Sequence, residues 1–132
     1  MYELGICYEC GYGVVKDYRK AFELYSKSAE GGCKHASYFL GNCYFYGNGV
    51  LRDENKAIEW HLKAAEKGHV HSQYIIANYY HNDEKYEDEC KAFKWYLKLA
   101  NDNGPRAIYL VAKCYRDGIG TDKNSKEATK WI

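Results

Sequence analysis

The feature that most constrains this chain is its internal period. Tyr2-Glu3-Leu4-Gly5-x-x-Tyr8-x-x-Gly11-x-Gly13 returns as Tyr38-Phe39-Leu40-Gly41-x-x-Tyr44-x-x-Gly47-x-Gly49. It returns again as Tyr74-Ile75-Ile76-Ala77-x-x-Tyr80, and finally as Tyr109-Leu110-Val111-Ala112-x-x-Tyr115-x-x-Gly118-x-Gly120. A second half repeats in the same register, through Ala21, Ala57, Ala92 and Ala128, then Leu24, Trp60, Trp95 and Trp131. Gly32, Gly68 and Gly104 close successive copies. Repetition at this spacing means stacked supersecondary units, because one unit cannot bury its apolar face alone.

Each unit reads as two helices. In the second copy Cys33, Ala36, Leu40, Cys43 and Tyr44 fall on one face at helical spacing. Gly47 and Gly49 end that helix, since glycine accepts the left-handed conformation of a helix stop. Asp53 is the expected N-cap of the next helix, with Asp17, Asp88 and Asn124 as its equivalents. Ala57, Trp60, Ala64 and Ala65 form the stripe of that second helix, and Pro105 occupies a first turn, where proline is tolerated. Gly5 and Gly41 lie inside helices, where glycine costs about 1 kcal/mol relative to alanine. The compensation expected is a close approach of paired helix axes. In the third copy Asn82-Asp83-Glu84-Lys85 replaces the Gly-x-Gly turn. The expected organisation is one repeat domain over 1–132, with units 1–32, 33–68, 69–104 and 105–132. The first and last units read as truncated pieces of a longer array, whose open ends would favour self-association.

Residues 36 to 68 carry the pattern Ala-x-Tyr-x-Leu-Gly-x-x-Tyr-x-x-Gly-x-Gly-Val followed by Asp-x-x-Lys-Ala-x-x-Trp-x-x-Lys-Ala-Ala-x-x-Gly with few departures. In this the chain resembles the Sel-one-like repeat family, relatives of the tetratricopeptide repeats, over its whole length. The resemblance implies an all-α fold, a right-handed α-α superhelix of helix-turn-helix repeats, and a scaffold or adaptor role.

Composition removes several other functions. Lys plus Arg number 19 against 18 Asp plus Glu, so no basic excess exists to neutralise nucleic-acid phosphates. No apolar run approaches the ~20 residues that span a bilayer. The residues after Met1 do not resemble a secretory signal, and no Asn-x-Ser/Thr sequon occurs, so the expected location is cytoplasmic. Cys7, Cys43 and Cys114 share one repeat position and read as small core residues. Cys10, Cys33 and Cys90 follow no pattern, so all six thiols are expected to be free. Cys7-x-x-Cys10 lies near a helix end and lacks the second pair that a zinc site needs. His35, His69 and His71 have no further ligand at helical spacing, so no metal or cofactor is expected. The Gly-x-Gly pairs follow helices and lack a phosphate loop's third glycine. No residues support catalysis.

The side of the first helices opposite Leu40 is the candidate working surface. It contains His35, Tyr38, Asn42 and Phe45, then His71, Tyr74, Asn78 and His81, then Arg106, Tyr109, Lys113 and Arg116, with Tyr2, Ile6 and Glu9 from the first unit. Tyrosine offers rigid apolar area with a polar tip, and asparagine can pair with a peptide backbone. The basic end suits an acidic segment. The expectation is a groove for a protein or peptide partner. Two alternatives stay open: tyrosines that serve only as packing wedges, and a chain that is a spacer or self-assembling segment.

Overall fold

The computed structural model describes residues 1–82, 88–101 and 104–131, and among them eight helices and no strands. They are α1 (Tyr2–Cys10), α2 (Tyr18–Glu30), α3 (Lys34–Tyr46), α4 (Glu54–Glu66), α5 (Val70–Asn82), α6 (Glu89–Asn101), α7 (Pro105–Asp117) and α8 (Ser125–Lys130). The expected turn replacement at Asp83-Glu84-Lys85 lies outside the described residues. Two compact units result, Met1–Ser72 and Gln73–Ile132.

Local chemistry sets the helix ends. The side chains of Asp17, Asp53 and Asn124 accept the backbone N–H three residues on, from Lys20, Lys56 and Glu127, each at 3.1 Å. Asp88 accepts that of Lys91 at the same distance. Each cap satisfies a donor that the helix itself cannot. Gly47 ends α3 at φ 74°, a conformation that costs glycine little. The second glycine of the turn has a different reason. A Cβ on Gly49, at φ 75°, would strike the Tyr18 carbonyl at the start of α2. The turn can therefore lie against the preceding second helix only without a side chain.

In the first unit the core gathers Ala21, Tyr25, Ala29, Ala36, Leu40 and Cys43, with Trp60 partly buried against them. Cys33 is the N-cap residue of α3 and only half-buried, so it sits at the margin of the stripe assigned to it. In the second unit the core is Ala77, Ala92, Tyr96, Leu99, Ala100, Ala107 and Val111.

The glycines inside α1 and α3 are explained by rings. A Cβ on Gly5 would stand 2.5 Å from the Tyr25 ring, and one on Gly41 2.8 Å from the His61 ring. The glycine is thus a notch into which a second-helix ring drops. Tyr25, His61 and Tyr96 hold one repeat position, immediately after Leu24, Trp60 and Trp95, and all three are buried. The apolar stripe read from the sequence omitted this position, although it contributes the bulkiest buried group of its helix.

Cys43 and Cys114 are buried, and burial pushes the Cys43 thiol up to about 12 and raises that of Cys114. Cys7 is half-buried, while Cys10 and Cys90 are exposed. Thiol titration of the unreduced chain should return six reactive groups in denaturant and fewer in the fold. A shortfall of two in denaturant would mean that a disulfide forms.

Candidate interaction surface

In the first unit the ring contacts gather on Tyr38 of α3. Its ring stacks on His69 with centroids 4.7 Å apart and meets His71 edge-on at 5.3 Å. It also meets Phe39 at 5.2 Å and His61 at 5.7 Å. His35 lies 5.3 Å from His69, and Tyr2 of α1 lies 5.4 Å from His35. Three of the chain's 5 histidines thus meet one tyrosine, and a fourth, His35, joins the cluster through His69. Even so, among the described residues no three His, Cys, Asp or Glu side chains are placed to hold a metal ion.

This setting disfavours charge. His61, 2% exposed, has its pKa lowered from 6.5 to about 4, first by burial and then by His69 and His71. Its Nδ1 is buried without a hydrogen-bond partner. His69 is held below the ordinary histidine value by burial first, then by His35, His71 and Lys34.

The other candidates differ in how free they are. Tyr38, Asn42 and Phe45 are half-buried, and Arg52 lies over the Phe45 ring at 5.5 Å. Glu9, counted on the outer row, instead accepts the hydroxyl of buried Tyr25 at 2.5 Å. His35 and His71 are exposed.

In the second unit Tyr74 packs against the core, and its hydroxyl occupies the space a Cβ on Gly104 would need. Asn78 accepts the Tyr96 hydroxyl at 3.0 Å, so its oxygen already has a partner inside the unit. His81 lies 6.3 Å from Tyr96. Tyr109 is 62% exposed, and Arg106 and Arg116 are also exposed, with Lys113 half-buried. Positions 106, 109, 113 and 116 share one face of α7. Arg116 pairs with Asp117, Nε to Oδ1 at 3.1 Å, a neighbour that the sequence-based charge reading left out. Arg106 and Lys113 flank Tyr109 on this face, one turn to either side.

This arrangement of paired, capped helices with ring-in-notch packing defines an all-α solenoid repeat protein. The chain belongs to the Sel1 repeat family, whose profile matches residues 1–33, 34–69, 70–103 and 105–132. The family consists generally of protein-interaction scaffolds. A Sel1 repeat protein from Oxalobacter formigenes is 27% identical with a TM-score of 0.88, over 98% of this chain and 54% of that one. The protein c5321, a protective antigen present in uropathogenic Escherichia coli strains that displays an SLR fold, is 32% identical with a TM-score of 0.83. The match covers 98% of this chain and 28% of that protein. The chain thus spans about half or less of these two structures. No curated protein matches. No described helix is long and apolar enough to cross a membrane.

Proposed function

We propose that this chain is a protein-interaction module whose first-helix faces hold an extended segment of a partner, with acidic residues docking on α7. The supporting observation is the α7 face, where Tyr109 stands 62% exposed with Arg106 and Lys113 one turn to either side. A large exposed ring between two cations suits a segment that alternates an apolar side chain with carboxylates. Tyr38, Asn42, Phe45 and His71 present the corresponding row in the first unit, and Tyr74, Asn78 and His81 in the second. A cytoplasmic setting is part of this reading, since it keeps the six thiols reduced.

The test is binding to an array of acidic, neutral and basic peptides. Tyr109→Ala should weaken the best acidic ligand about tenfold, the loss expected of a central aromatic contact. Joint Arg106→Glu and Lys113→Glu should slow association and shift preference to basic peptides, most clearly at low salt. Tyr109 is the better probe than Asn78, because Asn78→Ala would strand the buried Tyr96 hydroxyl and confuse folding with binding. An array that returns only basic ligands sinks the reading. So does a crosslinked partner mapping to α2, α4 and α6 alone.

A further inference from the structure

The third first-helix begins differently from the others. A helix start leaves N–H groups that need acceptors. At α3 and α7 the capping residues are Cys33 and Gly104, and neither makes a side-chain cap hydrogen bond. At α5 the equivalent residue is His69, whose Nδ1 accepts the Ser72 N–H at 3.2 Å and lies 2.8 Å from Ser72 Oγ. Ser72 departs from the repeat as well. It stands where α3 has Ala36 and α7 has Ala107, and all three positions are fully buried. Two substitutions that would each be costly alone, a buried hydroxyl and a histidine cap, thus satisfy one another.

This pair works in only one protonation state. To accept from the Ser72 N–H, Nδ1 must keep its lone pair, so the ring is neutral with its proton on Nε2. A protonated imidazole cannot accept, and it would put a cation at the positive end of the α5 dipole. The ring also stacks on Tyr38, so the cap joins the helix start to the centre of the first unit's outer row. We propose that the His69–Ser72 pair is a proton-operated latch, closed while His69 is neutral and opened by its protonation, which loosens the first turn of α5 beside Tyr38.

The neighbours strengthen the response. Lys34 and His35 face His69 from α3, His61 from α4 and His71 from α5, while Glu3 of α1, the one carboxylate of this group among the described residues, acts on His35. Among the described residues no carboxylate acts on His69 to offset a new charge, and His35, His71 and Lys34 each disfavour it. Because the folded value lies below 6.5, the latch contributes fully above pH 6.5, and its contribution is lost as pH falls from there toward the folded value. The latch operates whether or not the outer row holds a ligand.

Two measurements on the whole chain test it. Nitrogen-15 NMR of the histidine rings at pH 7.5 should show His69 unprotonated at Nδ1. Amide exchange, corrected for the intrinsic pH dependence of the rate, should show Ser72 protection falling about tenfold between pH 7.5 and pH 5, the scale of one lost cap. His69→Asn retains an acceptor at every pH and should hold protection constant, whereas His69→Ala should lack it throughout. An Nδ1-protonated tautomer in the wild type overturns the proposal without any variant. So does Ser72 protection that is flat with pH, or a pH-dependent fall in His69→Asn equal to that in the wild type.

Discussion

Gly41→Leu should destabilise the first unit by about 3 kcal/mol, at the upper end of overpacking effects. Even the first carbon of the new side chain meets His61 Cε1 at 2.8 Å and both ring nitrogens at 2.9 Å. The ring cannot retreat easily, because His61 is 2% exposed and wedged between α3 and α4. Gly41→Ala should cost less, about 1 kcal/mol, since helix propensity favours alanine and Ala77 is accommodated at the equivalent place beside Tyr96. Chemical denaturation followed by circular dichroism measures both. The double variant Gly41→Leu with His61→Ala should recover part of the loss, which assigns it to this contact. If Gly41→Leu melts with the parent, the ring-in-notch packing does not hold these helices together.

His61→Tyr should make the chain more stable in acid and flatten its response to pH. The buried imidazole has a folded value of about 4 against an ordinary 6.5. A depressed value means that the unfolded chain takes up the proton first. The contribution of neutral His61 is therefore intact above pH 6.5 and lost as pH falls from 6.5 to about 4. At 1.36 kcal/mol per pH unit, that is about 2 kcal/mol lost between pH 7 and pH 5. Tyrosine does not titrate in this range, and the fold already has room for it, since Tyr25 sits over Gly5 as His61 sits over Gly41. Asn42 stands where Asn78 does, so a hydroxyl at position 61 can donate to Asn42 as Tyr96 donates to Asn78. The same change removes a buried nitrogen without a partner, a defect worth about 1–3 kcal/mol. Urea unfolding at pH 7 and pH 5 should show His61→Tyr losing less than half of what the wild type loses. Equal losses would place the acid sensitivity elsewhere in the histidine cluster.

The sequence alone determined the repeat register, the helix pairs and their ends. These depend on interactions over a few residues: Asp53 with the N–H of Lys56, Gly47 turning left-handed after Tyr46, Pro105 opening α7. A period repeated four times averages out the uncertainty in any one of them. The tertiary structure decided what the outer row is made of. Asn78 and Glu9 were placed on it by helical angle, yet each is engaged by a tyrosine from the second helix. Helical angle gives direction from one axis and says nothing of how far a ring on the neighbouring helix can reach. His61 was legible only as a polar residue beside Trp60. That it fills the notch at Gly41 and joins His69 and His71 around Tyr38 requires α3, α4 and the start of α5 to be packed together. Contacts between residues twenty or thirty positions apart arise from packing, and no local propensity encodes them.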